Sequence, residues 1–399
     1  MDPVANPYTP GAGSRPQALV GRDGLIDAMD VSLQRILMRR NEQSQLLTGL
    51  RGVGKTVLLN EFEELADARG YFHEHIEVSE DGSLAPALAA ALRRVLLEMD
   101  AKRRLGDALR RAFGVLKAFA LRLPDGTELH IDVEAVLGPA DSGNLESDLA
   151  GLFVELGKVA REHGTGIMLT IDELHYVDRP TLTALIVGLH RASQLSLPIT
   201  VAGAGLPNLA ALTGDAKTYA ERLFVFPVID SLSGDQAEEA LRAPARDEGV
   251  EWEDGAIALA LEVTQCYPYF LQEFGKRAWL VSDGPDLITT DQFERAIPVA
   301  VAALDDSFFR VRAAASTPAE RLYMSAMARL GPGAVRTTDV ANLLGREPSA
   351  MSPTRDKLIK RALCYAPSRG HIDFTVPLFG DFMKRWMPGG ATGATPAKG

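Results

Sequence analysis

The sequence predicts an α/β fold: a parallel sheet covered by helices on both faces, then a helical region, then a small C-terminal module. Short apolar strands alternate with helical segments up to about residue 230, and the strand pattern disappears after Ser231. Two short strands return only near residue 370. This alternation is typical of a parallel sheet whose crossovers are helices. A chain of 399 residues is also long enough for two or three domains.

Each element follows from apolar spacing and turn residues. Strands are predicted at 45–48, 71–78, 166–171, 197–202 and 223–228. Helices are predicted at 23–40, 55–69, 83–119, 145–163, 181–193, 235–248, 253–264, 268–281 and 290–312, the last with Thr290 as its N-cap. A β-hairpin is predicted at about 120–136 around Pro124-Asp125-Gly126.

These elements group into five predicted regions. Residues 1–17, rich in Pro, Gly and Ala, are expected to be an extended arm rather than a packed element. A sheet core follows at 18–230, a helical region at 231–312, a C-terminal module at 317–388 and a disordered tail at 389–399.

Composition limits the class of protein. The chain has 46% apolar and 24% charged residues, as expected for a well-cored globular protein. No run of about 18 apolar residues and no secretory start are visible, and the two cysteines lack metal-ligand spacing. We therefore expect a cytoplasmic protein that contacts no membrane. Net charge is −11, yet residues 317–399 hold 12 Lys+Arg against 6 Asp+Glu, which points to an anionic partner for that part alone.

One segment matches the phosphate-binding pattern G-x-x-x-x-G-K-[ST] in full, between a predicted strand and a predicted helix. Glycines let backbone N–H groups fold around phosphate oxygens, and the helix start adds a positive end. Lys55 can reach the β- and γ-phosphates, and the Thr56 hydroxyl can ligate Mg²⁺. The predicted nucleotide contacts here are Gly49, Gly52, Val53, Gly54, Lys55, Thr56 and Val57.

A carboxylate pair follows a buried strand, as the second half of such a site requires. Asp172 would hold Mg²⁺, and Glu173 would act as general base on the attacking water. His175 is expected to be an ordinary loop histidine. Together the two motifs predict that ATP and Mg²⁺ bind, and that ATP is hydrolysed.

These motifs resemble the Walker A and B pair of the AAA+ and STAND ATPases, which have a P-loop NTPase sheet followed by an α-helical lid. The resemblance implies that Leu19, Val20, Gly21 and Arg22 pass over the adenine, because Ala18–Asp23 is similar to the box that opens origin-recognition-like and STAND modules. It also implies that Arg222 senses γ-phosphate, frequently in a neighbouring subunit, so that nucleotide-dependent homo-oligomers are expected. Pro268 stands where the lid proline of STAND proteins packs near the base.

The chain departs from these families at two positions. Thr200 is the only polar side chain in the strand that often ends in a sensor residue, and Cys266 stands where the lid motif has glycine. Lys276 and Arg277 are the remaining candidates for a lid sensor. Turnover is therefore expected to be slow or to depend on a partner.

The C-terminal module is predicted to be a winged helix-turn-helix. It opens with an amphipathic helix at 317–330. The first helix of the helix-turn-helix lies at about 337–345, the second at 349–361, and a hairpin around Ser368-Arg369-Gly370 forms the wing. Pro353 suggests that the second helix starts later than Ser349. If the module meets double-stranded DNA, the predicted contacts are Arg355, Lys357, Lys360, Arg361 and Arg369. Packing against protein is the alternative.

The leading hypothesis is therefore an ATP-dependent molecular switch whose output is DNA binding. The rival is a STAND-type signalling ATPase whose winged helix contacts protein and whose output is assembly. A third possibility is a nucleotide-binding DNA regulator that scarcely hydrolyses ATP.

Overall fold

A computed structural model describes residues 1–11, 13–80, 82–103, 106–123, 133–218, 220–284 and 286–388. The chain divides into two compact units. The first, which we call the sheet unit, comprises Gly21–Gly49 and Gly54–Ile229. The second, the helical unit, comprises Met1–Val20, Leu50–Val53 and the chain from Asp230 onward.

The sheet unit is built on five parallel strands in the order β2-β3-β4-β1-β5. Their bounds are β1 Ser44–Thr48, β2 Phe72–Glu77, β3 Ile167–Asp172, β4 Ile199–Gly205 and β5 Phe224–Val225. Every residue of β1, β3 and β4 is buried, because helices cover both faces of a parallel sheet. The predicted α/β fold is confirmed.

Seven helices of the described chain belong to the sheet unit. They are α1 Asp23–Leu37, α2 Lys55–Ala68, α3 Leu84–Arg103, α4 Asp107–Ala120, α5 Leu145–Glu162, α6 Arg179–Gln194 and α7 Leu209–Ala216. Buried side chains of α3, α4, α5 and α6 form one continuous apolar core with the strands. The short helix α7 has no counterpart in the sequence prediction.

The long helical stretch predicted at 83–119 forms two helices. Helix α3 ends at Arg103, and α4 begins at Asp107 with Gly106 as its N-cap. Glycine is a poor helix former and is tolerated at a cap. Most of the hairpin predicted at 120–136 lies outside the described residues, and the flanking residues 133–136 are not in a strand.

After residue 230 the helical unit begins with α8 Gly234–Asp247, α9 Asp254–Thr264, α10 Pro268–Val281 and α11 Thr290–Ala303. A π-helical turn at Leu304–Phe309 leads into α12 Arg310–Ala314. Two-residue strands β6 Glu251–Trp252 and β7 Leu287–Ile288 pair in parallel, which the sequence did not reveal. The N-cap of α11 is Thr289 rather than Thr290, because Thr289 and Gln292 form a reciprocal capping box.

The chain ends in a smaller group of elements, which we call the C-terminal module. It consists of α13 Pro318–Leu330, β8 Val335–Arg336, α14 Thr337–Leu343, α15 Pro348–Lys360, β9 Cys364–Tyr365, β10 His371–Phe374 and α16 Phe379–Trp386. The three strands form an antiparallel sheet in the order β8-β10-β9. Helix α15 starts at Pro348, not later than Ser349, because proline suits the first helical position. The interior Pro353 is exposed, so water can bind the backbone carbonyl oxygen to which proline has no N–H to donate.

The N-terminal arm packs, contrary to the expectation for residues 1–17. Tyr8 is 1% exposed, and its hydroxyl donates to the carbonyl oxygen of Leu241 at 2.5 Å. The indole N–H of Trp252 donates to the same hydroxyl at 2.8 Å. A Cβ added to Gly275 would lie 2.7 Å from the Tyr8 ring, so glycine makes room for that ring. One buried aromatic side chain therefore anchors a segment whose composition predicts a loop.

Across the described part of the chain, every helix is too short or too polar to traverse a bilayer. Cys266 and Cys364 are both free thiols.

Candidate functional site

The phosphate-binding pattern forms the turn between β1 and α2. Helix α2 begins at Lys55, directly after Gly54. Gly52 and Gly54 have φ values of 88° and 94°, a backbone conformation that residues with a Cβ rarely adopt. Glycine is therefore required at these two positions by the backbone conformation. Because α2 begins directly after Gly54, its positive N-terminal end lies next to the loop.

Within the sheet unit, the two predicted halves of the site meet. The Thr56 hydroxyl donates to Oδ2 of Asp172 at 2.5 Å. Asp172 ends β3 and is 6% exposed, and its Oδ1 accepts the backbone N–H of Glu173 at 2.7 Å. Lys55 is 9% exposed and donates from Nζ to the carbonyl oxygen of Gly49 at 3.0 Å. A buried lysine and a hydroxyl–carboxylate pair therefore flank the start of α2.

These residues fit a magnesium nucleotide. Mg²⁺ binds hard oxygen ligands and keeps several waters, so one hydroxyl and one carboxylate are a sufficient protein contribution. The described residues contain no cluster of three or more His, Cys, Asp or Glu side chains suited to hold a metal by themselves. The Thr56–Asp172 pair is thus suited to a metal that arrives with a phosphate ligand.

Glu173 adopts the left-handed conformation, with φ of 55° and ψ of 34°. Such strain in a non-glycine residue costs about 1–3 kcal/mol and is concentrated at functional sites. Its carboxylate lies 3.3 Å from Nδ1 of His175, whose side chain is 4% exposed and packs on the Tyr176 ring. His175 is therefore a buried neighbour of the predicted base, not the ordinary loop histidine that the sequence suggested.

The tip of the phosphate loop, Leu50–Val53, makes its contacts in the helical unit. The Tyr267 hydroxyl donates to the carbonyl oxygen of Arg51. The backbone N–H of Tyr269 donates to the carbonyl oxygen of Gly52 at 3.2 Å, and the N–H of Arg51 donates to the carbonyl oxygen of Thr375 at 3.2 Å. The sequence prediction named Pro268 from this region, and the structure shows that the tyrosines on either side of it contact the loop.

The remaining residues predicted from the family resemblance are placed as follows. Gly21 has φ of 71°, and Arg22 is the N-cap of α1. Arg222 ends a short 3-10 turn, Ala220–Arg222, and is exposed. Pro268 is the first residue of α10. The hydroxyl of Thr200 is buried 3.4 Å from the Ser44 hydroxyl on the neighbouring strand.

Arg277, a predicted candidate for the lid sensor, forms an ion pair within its own helix. Its Nε donates to Oε1 of Glu273 at 2.8 Å, one turn earlier in α10. Lys276 accepts a hydrogen bond from Asn6 through its backbone carbonyl oxygen.

The predicted DNA-contacting residues divide into two groups. Arg361 donates to Oε2 of Glu320 at 3.0 Å, and Glu320 is 3% exposed at the start of α13. The Arg361 guanidinium therefore neutralises a buried carboxylate in this structure, and its contact with a phosphate stays a prediction. Arg355 pairs with Asp356 at 3.1 Å. The other three, Lys357, Lys360 and Arg369, are exposed.

Two family models match the chain. Residues 18–201 match a family described as an AAA ATPase domain, and residues 306–383 match a domain of unknown function. No curated protein matches.

Solved structures with a similar fold include a Walker-type ATPase of Pyrococcus abyssi, at 16% identity and a TM-score of 0.58, with 93% of this chain and 97% of that chain covered. Cdc6p of Pyrobaculum aerophilum matches at 14% identity and a TM-score of 0.47, over 96% and 98% of the two chains. The RuvB Holliday junction branch migration motor of Thermotoga maritima matches at 17% identity and a TM-score of 0.47, over 91% and 96%. Of these three, only the Walker-type ATPase has a TM-score above 0.5, and its likeness shows a shared fold alone.

Proposed function

We propose that the chain, whose residues 18–201 match a family described as an AAA ATPase domain, is an ATP-dependent molecular switch that acts through its C-terminal module. It binds ATP with Mg²⁺, hydrolyses it to ADP and phosphate, and couples the nucleotide state to the binding of double-stranded DNA. We place this activity in the cytoplasm.

The observation that carries the proposal is the contact between Thr56 and Asp172 beside the buried Lys55. A hydroxyl and a carboxylate from two distant parts of the sequence meet where the family places Mg²⁺. Lys55, held by the Gly49 carbonyl oxygen, supplies a positive charge in a place where water screens it little. Bound Mg²⁺ would neutralise charge on the phosphate oxygens.

Each residue then has a defined task. The loop N–H groups and Lys55 bind the phosphates, while Thr56 and Asp172 hold the metal. Glu173 orients and deprotonates the attacking water as general base. Arg222, exposed on its 3-10 turn, is available to a neighbouring subunit in a nucleotide-dependent homo-oligomer.

The arrangement of the C-terminal module supports DNA as the partner. Helices α14 and α15 precede a strand pair, the order expected for a winged helix-turn-helix. Lys357 and Lys360 are exposed on α15, and Arg369 is exposed in the turn before β10. These three cations are suited to phosphate contacts.

A second candidate function, a STAND-type assembly ATPase, has its own support. Arg361 and Arg355 are paired with carboxylates, which reduces the positive charge that α15 presents. The rest of the chain is acidic, with 30 Lys+Arg against 47 Asp+Glu in residues 1–316. Under this alternative, the C-terminal module contacts protein.

Replacing Glu173 by Gln tests the proposed hydrolysis. The amide keeps the shape of the side chain but cannot accept the water proton, so phosphate release is expected to fall by about 100-fold or more. The dissociation constant for ATP should stay within about threefold, because the phosphate contacts are unchanged. Steady-state phosphate release and calorimetric ATP titration measure the two quantities.

The matched control is Glu162→Gln, which neutralises an exposed carboxylate at the end of α5. It should leave both quantities unchanged. Equal phosphate release by the Glu173→Gln variant and the parent would overturn the assignment of the base and favour the regulator that scarcely hydrolyses ATP.

A further inference from the structure

We propose that Tyr267 is a positioning residue that presets the phosphate-binding loop and makes nucleotide affinity depend on the C-terminal module. The inference rests on the proposed nucleotide site. It concerns side chains that touch neither phosphate nor metal, and it follows from the contacts of Leu50–Val53 within the helical unit.

Both carbonyl groups in the middle of the loop tip accept hydrogen bonds from the start of α10. The Tyr267 hydroxyl donates to Arg51, and the N–H of Tyr269 donates to Gly52 at 3.2 Å. A Cβ at Gly52 would lie 3.1 Å from Tyr269 Cβ and 3.3 Å from Tyr267 Cε1. The tyrosines therefore fix the loop tip through its backbone, and Gly52 permits that approach as well as the φ of 88°.

Tyr267 is held in place by an unusual backbone. The two preceding residues, Gln265 and Cys266, have φ values of 53° and 55°, both left-handed. The carbonyl oxygen of Cys266 accepts the N–H of Leu232 at 3.0 Å, which anchors this strained pair. The Tyr267 ring is 1% exposed and lies 5.0 Å from the Phe270 ring. Burial raises the pKa of Tyr267 far above its usual range, so the hydroxyl remains a donor.

The same loop tip is also bound to the C-terminal module. Arg51 donates its N–H to the carbonyl oxygen of Thr375 at 3.2 Å. Thr375 is fixed within the module, because its hydroxyl donates to Ala362 at 2.7 Å and its N–H donates to Leu363 at 3.1 Å. A movement of the module therefore acts directly on the backbone of the phosphate loop.

Aromatic side chains also connect the start of α10 with the C-terminal module. The Tyr269 and Phe308 rings stack with centroids 5.0 Å apart and an interplanar angle of 27°. In the π-helical turn, Phe309 packs at 5.5 Å from both Phe379 and Phe382 of the C-terminal module. Phe379 packs at 5.3 Å from Phe374, the neighbour of Thr375. The loop tip, α10, the π-helical turn and the module thus form one connected set.

Preorganisation of the loop determines whether the tyrosine contacts raise or lower nucleotide affinity. A loop already held in its binding conformation loses less conformational entropy when nucleotide binds, so the tyrosine contacts raise affinity. The Arg51–Thr375 bond couples the C-terminal module to the same loop. By thermodynamic linkage, nucleotide must stabilise the docked module by the factor by which docking raises nucleotide affinity. One buried hydrogen bond corresponds to about fivefold in a binding constant.

Tyr267→Phe removes the hydroxyl and keeps the ring. ADP, which cannot be hydrolysed at this site, is the probe, and its dissociation constant should rise about fivefold. KM for ATP should rise by a similar factor, while kcat stays within about twofold, since the catalytic groups are untouched. The control is Tyr71→Phe, which removes a buried hydroxyl that donates to Leu33 at 2.7 Å within the sheet unit. It should not change ADP affinity.

Hydrogen exchange on the unmodified protein gives a second test that does not depend on how a variant folds. In the unmodified protein, ADP should slow amide exchange in residues 306–388. The inference is overturned if Tyr267→Phe binds ADP as tightly as the parent, or if ADP leaves exchange in this module unchanged. If the parent itself binds no ADP, the proposed nucleotide site fails first.

Discussion

Left-handed backbone at non-glycine residues occurs at two places that matter for function. Glu173, the proposed base, has φ of 55°, and the pair Gln265–Cys266 directly precedes Tyr267. Such conformations cost free energy, and they persist only where the surrounding contacts hold them. Around Glu173 and Tyr267 these contacts are the Asp172 carboxylate and the Cys266 carbonyl group.

Gln265→Gly should stabilise the protein by about 1 kcal/mol, because glycine adopts a positive φ without a Cβ clash. Gln265 is exposed, so the substitution removes little packing. The free energy of unfolding from urea titration measures the effect. The control, Gln265→Ala, retains the Cβ and should show no gain; a gain in both variants would mean that strain at this position is not the cause.

At the residue scale, the sequence predicted the nucleotide-binding motifs but not the contacts of the loop tip. Residues 49–56 and 172–173 are constrained by the chemistry of phosphate and metal, so their types and spacing are informative. The bond from Tyr267 to Arg51 joins residues 216 positions apart through a backbone carbonyl group, which any residue at position 51 could provide. No sequence pattern predicts such a contact.

At the element scale, the five parallel strands and most helices could be predicted because apolar spacing repeats over several turns or residues. The elements that were missed are short: β6, β7 and β8 have two residues each, and α7 and α16 have eight each. A two-residue strand has no periodicity to detect. Gly106, the N-cap of α4, interrupts the helical stretch, but the apolar pattern continues on both sides of it.

Substitutions in helix α15 distinguish the DNA-binding function from the STAND-type assembly function. Replacing Lys357 and Lys360 together by Ala should weaken binding of duplex DNA by the full chain in the presence of ATP. The slope of the logarithm of affinity against the logarithm of salt concentration should fall by about 2, because two phosphates would no longer be neutralised. Fluorescence anisotropy over a range of salt concentrations measures this slope.

The matched control removes two positive charges from other helices of the same module, with Arg329→Ala and Lys384→Ala together. It should change the slope less. If the unmodified chain fails to retain DNA even at low salt, the DNA function is wrong and the STAND-type assembly function is favoured.

At the scale of the whole molecule, the division into units does not follow the chain order. Leu50–Val53 belong to the helical unit although the residues on either side belong to the sheet unit. The N-terminal arm, through Tyr8, also belongs to the helical unit. A linear sequence suggests domains that follow one another, so neither assignment could be predicted from composition or periodicity.

Calorimetric titration of Mg-ATP tests whether Lys55, Thr56 and Asp172 bind a magnesium nucleotide, on which every proposed function depends. Lys55→Ala should weaken binding by about 100-fold, because it removes a buried positive charge that would contact phosphate. Lys217→Ala, which removes a partly exposed lysine paired with Glu146, should leave binding unchanged. If the Lys55→Ala variant bound Mg-ATP within about threefold of the parent, the nucleotide site would not be where these three residues meet.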